Sequence, residues 1–206
     1  MQHLAILGAS GHGKVVADAA LSLGWSVITF FDDAIGSKSI NLHDWRVEGN
    51  FEDLLSRKDE FDGIVVAIGN NAIREQKLTA LAEQGAPVIS VVHPSAAISS
   101  LCRYGPGTVI LANAVVNIDA CLGLGVIVNS GAVVEHDCIL DDCVHLSPGA
   151  TLAGGVRVGR RAWIGASAAV KQLVSVGDDA VVGMGAVVLR DVPPKVTVVG
   201  TPSRPL

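Results

Sequence analysis

One period dominates this chain and limits what it can fold into. Stepping by six from Ile98 reaches Tyr104, Ile110, Val116, Leu122, Val128, Val134, Leu140, Leu146, Leu152, Val158, Ile164, Val170, Val176, Val182 and Val188. Fifteen of these sixteen positions are Ile, Leu or Val. Four residues after each stands a small side chain or Val, from Cys102 and Thr108 to Ala186 and Val192. Neither a 3.6-residue helix nor a simple alternating strand produces such a pattern. A long internal hexad repeat marks a parallel β-helix. Each hexad would form one face of a three-sided prism, so one coil takes about 18 residues and sixteen hexads make roughly five coils. The aliphatic side chain points into a narrow interior, and the small one turns inward where space is tight. Glycine follows the aliphatic at Gly105, Gly123, Gly159, Gly165, Gly177 and Gly183. These glycines are expected at corners that need unusual φ. Long flat faces predict self-association.

Composition agrees with a thin prism. Hydrophobic residues make up 50% of the 206, yet only 4% are aromatic, and 23 are glycine. A chain this apolar and this weakly charged is not disordered. No stretch approaches the roughly 18 apolar residues of a membrane span. The net charge of −5, with no basic run, argues against a nucleic-acid partner. The opening Met1-Gln2-His3-Leu4 has no basic or long apolar leader, so the cytoplasm is expected. Cys102, Cys121, Cys138 and Cys143 contain no C-x-x-C pair. They read as apolar fillers, and no metal site is expected.

Residues 1–94 read differently. Apolar β-like runs at 3–7, 26–31, 63–68 and 88–92 alternate with helical patterns at 14–23, 51–58 and 73–83. That alternation predicts an α/β domain with a Rossmann-like parallel sheet of four strands. Ligands bind beyond the carboxyl ends of such strands. Ser10, Gly11 and His12, then Asp32 and Asp33, then Gly69 with Asn70 and Asn71, fall there. Glycines admit a close ligand, a helix N-terminus offers N–H groups to phosphate, and an acid can accept from sugar hydroxyls. The loop spacing, G-x-x-G-x-G from Gly8, departs from the dinucleotide fingerprint G-x-G-x-x-G. A nucleotide-sugar site is therefore preferred over an NAD site.

Taken together, Gly8-Ala9-Ser10-Gly11-His12-Gly13, Phe31-Asp32-Asp33, Ala67-Ile68-Gly69-Asn70-Asn71, the hexads, Val134-Glu135-His136-Asp137-Cys138 and Val199-Gly200-Thr201-Pro202-Ser203 carry a resemblance. The chain resembles the hexapeptide-repeat sugar acetyltransferases, the group with UDP-4-amino-sugar N-acetyltransferases and sialic acid O-acetyltransferases. The resemblance spans nearly the whole chain. It implies a left-handed parallel β-helix over 95–206 after the Rossmann-like domain, against the usual crossover hand. It implies a homotrimer, with acetyl-CoA between adjacent prisms and a nucleotide sugar on residues 1–94. His136 resembles the family's general base, with Asp137 where a related pattern has Glu. His145 resembles the histidine that contacts acetyl-CoA near the thioester. Ala166 and Met184 fall where backbone contacts the cofactor. Ser10, Gly11, His12, Asp32, Asp33 and Gly69 resemble nucleotide-sugar contacts.

The residues support that chemistry. His136 stands two after the inward Val134, at a corner, and should point outward. A neutral imidazole can take a proton from an amine as it attacks a thioester, and a pKa near 6.5 suits neutral pH. Either Glu135 or Asp137 could orient the ring. No Ser or Cys nucleophile stands out, so direct attack on acetyl-CoA is expected. His145 lies five after Leu140, at an outward position. Residues 104–156 hold five acids and no Lys or Arg, whereas residues 157–206 hold seven bases against three acids. The basic coils, with Lys171, Arg190 and Lys195, are candidates to meet the phosphates of coenzyme A. The expected reaction is N-acetylation of a nucleotide-linked 4-amino-4,6-dideoxy sugar, UDP-linked in preference to dTDP-linked, in bacterial glycan synthesis. The alternatives are O-acetylation of sialic acid or another sugar, a non-catalytic scaffold, and a dehydrogenase.

Overall fold

The computed structural model describes residues 2–34, 42 and 44–206. The N-terminal part opens with β1 (His3–Leu7), α1 (Gly11–Ser22) and β2 (Val27–Phe31), followed by α2 (Phe51–Ser56), β3 (Gly63–Val66) and α3 (Asn71–Glu83). The three strands form a parallel sheet in the order β2-β1-β3. All four residues of β3 are buried, as a strand covered on both faces requires. Asn70 caps α3 by accepting from the Ile73 N–H, which starts that helix two residues earlier than the apolar pattern suggested. At the β1–α1 turn, a Cβ on Gly13 would run into the Gly8 carbonyl, so only glycine lets the helix leave so tightly.

The expected fourth strand at 88–92 does not join this sheet. Val88 makes one isolated bridge to Ile64, and Val91–Val92 pairs instead with Val109–Ile110. Pro87 ends the helical connection, and Val91 donates to the Thr108 carbonyl, so the chain is already on the prism. Pairing within the sheet loses to pairing with the first coil.

From there each coil advances by 18 residues in register as far as Val187–Val188, and the last step, Val181–Val182 to Thr197–Val198, is 16. The first face stacks Val91–Val92, Val109–Ile110, Ile127–Val128, His145–Leu146, Trp163–Ile164, Val181–Val182 and Thr197–Val199. Antiparallel Arg204–Pro205 closes that face. The second face runs from Ala97–Ile98 to Val187–Val188, and the third from Arg103–Tyr104 to Ser175–Val176. The hexad aliphatics and the small residues four further on fill one continuous core, from Ile110 and Ala114 to Val188 and Val192.

The corners differ from the expectation in one respect. Positive φ recurs every six residues, but three positions after the aliphatic: Gly107, Asn113, Asp119, Gly125, Gly131, Asp137, Cys143 and onward to Gly185. The glycines directly after the aliphatic have no such φ. Their reason is space: a Cβ on Gly165 would stand 2.6 Å from the Met184 nitrogen of the next coil. Coil stacking excludes the side chain there.

The two parts share apolar packing. Val91, Val109 and Leu111 pack with Leu4, Ile6 and Val65, while Cys143 packs with Leu78 and Leu81. The N-terminal part therefore sits on the first face and on the edge between the third and first faces.

Candidate active site

His136 stands on the edge between the second and third faces. Its neighbour Asp137 occupies the left-handed corner, with φ 61°, a conformation that Asp tolerates. That backbone turns the Asp137 carboxylate back to the imidazole, and Nδ1 lies 2.7 Å from Oδ2. A carboxylate only accepts, so Nδ1 carries the proton, and in the neutral ring Nε2 keeps its lone pair. Glu135 is engaged elsewhere: its carboxylate accepts from Asn117 Nδ2 at 2.8 Å. The choice between the two acids that the sequence left open is thus made by geometry in favour of Asp137. The His136 pKa is raised, first by the Asp137 hydrogen bond and further by the charges of Asp137 and Glu135. One coil on, Gly154 gives the ring its place, because a Cβ there would stand 2.5 Å from Nε2. The imidazole opens on a cleft of about 580 Å³ lined by Asp137, Gly154, Arg157, Gln172 and Leu173.

Ser10, Asp32, Asp33 and Gly69 line a second cleft, of about 270 Å³, at the carboxyl end of the N-terminal sheet. Ser10 precedes α1 without a side-chain cap, and Ser10 and Gly11 are exposed at that helix N-terminus. Asp32 already accepts from the Ala9 and Ala34 N–H groups, at 2.7 and 2.8 Å. Asp33 accepts from the Phe51 N–H and pairs with Lys77 at 2.7 Å, which keeps its carboxyl below the usual range despite partial burial. Each carboxylate fixes the loops first and has further lone pairs for a ligand.

His12 leaves this group and turns toward the prism. Its ring centroid lies 6.4 Å from that of His145, and its Nε2 is buried without a protein partner. His145 points outward from the prism core, as its spacing suggested, but into the junction with the N-terminal part. It lies between His12 and Trp163, whose indole stacks on it at 5.9 Å and 13°. The Gly69 carbonyl lies beside the His145 ring, and Asn129 Nδ2 stands 3.5 Å from Nε2. Burial, then the nearby Arg74 charge, lowers His12 to about 4. The same two causes, in the same order, lower His145 to about 3. Both rings are neutral at pH 7.

Ala166 and Met184 lie in neither cleft. They occupy the edge between the first and second faces, where the Ala166 carbonyl accepts from the Gly185 N–H and Met184 is 79% exposed. The structure thus places the sequence-predicted residues at three edges of one chain. It also adds Arg74, Asn129, Gly154, Arg157 and Trp163, which the motifs did not mark. Coil arithmetic could have found two of them, since Gly154 is 18 after His136 and Trp163 is 18 after His145.

Residues 3–81 match the PglD N-terminal domain family. GDP-perosamine N-acetyltransferase of Escherichia coli O157:H7 is 30% identical over 183 residues, covering 86% of this chain and 81% of that protein. Shorter matches, 37% identical, span 24% of the length of a galactoside O-acetyltransferase of Escherichia coli K12 and 30% of putative acetyltransferases of Staphylococcus aureus. Among solved structures, the acetyltransferase domain of PglB from Neisseria gonorrhoeae, in complex with acetyl coenzyme A, is 42% identical with a TM-score of 0.94. It is matched over 100% of this chain and 99% of that one. A variant of perosamine N-acetyltransferase from Caulobacter crescentus, in complex with CoA and GDP-perosamine, is 34% identical with a TM-score of 0.94, over 100% and 97%. The fold of these neighbours is a left-handed β-helix, and the prism winds with that hand. On full-length likeness in sequence and in structure, the chain belongs to the hexapeptide-repeat sugar acetyltransferases.

Proposed function

We propose that this chain acetylates the 4-amino group of a nucleotide-linked 4-amino-4,6-dideoxy sugar, with acetyl-CoA as donor, in bacterial glycan synthesis. The observation that carries the reading is the His136–Asp137 pair, with Nδ1 bonded to the carboxylate, exposed on a cleft. Nε2 takes a proton from the amine nitrogen as that nitrogen bonds to the thioester carbonyl carbon. The C–S bond then breaks, and the proton passes from His136 to the departing sulfur. Asp137 holds the Nδ1 proton throughout and stabilises the imidazolium. Acetyl-CoA supplies an acyl group already activated as a thioester. The cleft suits its slender arm: Gly154 and Gly155 leave one wall without side chains, Leu173 adds an apolar contact, and Arg157 adds a positive charge. Of the basic residues named from the sequence, Lys171 shares this edge. Arg190 follows Val187–Val188 and so also stands on this edge, three coils beyond His136, whereas Lys195 lies on another edge.

Residues 1–94 are proposed to take the nucleotide sugar and residues 95–206 to carry out acyl transfer, with His145, Ala166 and Met184 meeting the donor. The two clefts share no residue, and they stand on different edges of the prism. That separation favours a trimer in which one copy holds the sugar beside His136 of a neighbouring copy. Exposed Leu101, Ile118 and Leu173 along the His136 edge give such a contact its apolar surface. Among the described residues no helix is long and apolar enough to cross a membrane. We place the reaction in the cytoplasm, where acetyl-CoA is made.

A UDP carrier is the first reading, from the resemblance to UDP-4-amino-sugar N-acetyltransferases. GDP is the second reading, because two relatives of high coverage are named for GDP-perosamine. Thiol release from acetyl-CoA, measured with UDP-, GDP- and dTDP-linked 4-amino sugars and with sialic acid, tests both. Turnover on one nucleotide amino sugar is expected. Turnover on sialic acid alone would overturn the reading.

A further inference from the structure

Arg74, on the first turn of α3, is the largest fully buried side chain among the described residues, with 0% exposure. Its five N–H groups find only uncharged acceptors. Nε donates to the Gly125 carbonyl at 2.8 Å, and Nη1 to the Ile68 carbonyl at 2.9 Å, with Gly69 at 3.5 Å. Nη2 donates to the Cys143 carbonyl at 2.6 Å and to Asn71 Oδ1 at 2.9 Å. The adjacent Glu75 does not pair with it. Glu75 is taken up by Arg160 and Arg161. Burial brings the guanidinium down to about 10, so it remains charged at pH 7.

A buried cation with no ion partner is an expensive way to join two layers, and apolar packing would do it more cheaply. What it gains is placement. Ile68 and Gly69 follow β3 and line the N-terminal cleft. Gly125 and Cys143 are successive left-handed corners of the prism. Cys143 lies two residues before His145, whose ring has the Gly69 carbonyl beside it. One guanidinium therefore clamps both the Ile68–Gly69 segment beside the His145 ring and the chain that leads into the strand of His145.

We infer that Arg74 is a positioning residue for the reaction, holding the Gly69 loop and the His145 ring in one fixed arrangement across the junction. The inference rests on the proposed acetyltransferase site, in which Gly69 meets the sugar nucleotide and His145 meets the donor.

The test compares R74M, R74K and E75Q in the full chain. Ring-nitrogen NMR of histidine-labelled protein at pH 7 reads the His145 tautomer without any substrate. The wild type should show one tautomer, and R74M and R74K should show exchange between two. With substrate, kcat/KM should fall about tenfold or more in both Arg74 variants, as misplacement predicts. E75Q removes ion pairs across the same junction, so it should lower Tm while leaving the tautomer fixed and kcat/KM within about threefold. Should R74M not fold, R74K, which keeps charge and stem but loses the fork, decides the matter. A fixed His145 tautomer in R74K would overturn the inference, as would an E75Q variant as disturbed as R74K. If no tested sugar is turned over by the wild type, the acetyltransferase reading fails, and the NMR comparison still judges the clamp.

Discussion

Replacing Gly154 by Ala should silence the enzyme without unfolding it. Gly154 lies one coil beyond His136, and the imidazole rests over it. A Cβ at that position would stand 2.5 Å from both Nε2 and Cε1, whereas ordinary contact begins at 3.4 Å. The ring must retreat by about 0.9 Å, a displacement that can cost on the order of 10²-fold in rate when it moves a reacting atom. In barrier terms that is about 2.7 kcal/mol. The clash is with an exposed side chain, 59% accessible, so it is relieved by rotating the ring into solvent. Gly154 has no positive φ, so alanine adds no backbone strain. Stability should therefore change by less than about 1 kcal/mol, as for other surface substitutions. Rotation also breaks the 2.7 Å bond to Asp137, which is the main cause of the raised His136 pKa. The acid limb of kcat/KM should then move to lower pH. The assay is CoA release across pH 6–9, with a melting curve on the same sample. A variant with wild-type kcat would show that the ring seen over Gly154 is not the working one.

Other substitutions separate the remaining parts of the account. Asp137→Asn keeps a residue that tolerates the left-handed corner but removes the carboxylate. It should lower the acid-limb pKa toward about 6.5 and reduce kcat about tenfold. An unmoved limb would hand the orienting role to Glu135. Gly165→Ala should destabilise the chain by about 1–3 kcal/mol in urea unfolding, because the new Cβ meets backbone that cannot yield. Unchanged stability would refute the space argument for the glycines that follow the aliphatics. His12 and His145 have folded pKa values near 4 and 3, below the unfolded 6.5. Their contribution to stability is full above pH 6.5 and is lost as pH falls toward 4. The fall in Tm from pH 7 to 4.5 should be smaller in a His12→Gln, His145→Gln double variant, and an equal fall would contradict the neutral assignment.

Much of this was legible in the sequence, and for a physical reason. The prism interior is so narrow that Val134, Leu152 and their equivalents, with Ala150 and its equivalents, have almost no substitutes. The period therefore survives in the letters. The outward, corner placement of His136 followed from counting two past Val134. The 18-residue coil would also have paired His136 with Gly154, Asn117 with Glu135 and Arg161 with Asp179. Contacts between the two parts obey no such count. Nothing in the helical pattern of α3 shows that Arg74 turns into the prism, or that His12 faces His145 and not the Ser10–Asp32 cleft. The fate of residues 88–92 was hidden for a related reason. Short apolar runs fit a Rossmann-like sheet and a first coil equally well, and only the competition with Val109–Ile110 decides.

The central claim is that His136 takes the proton from the attacking amine. It is tested most directly by kcat for CoA release in His136→Ala, with the nucleotide amino sugar that the wild type turns over best, at saturating acetyl-CoA. The account predicts a loss of about 10²-fold or more in kcat, with the fold and the KM for acetyl-CoA little changed. A variant that turns over within about threefold of wild type would contradict general-base catalysis by this residue.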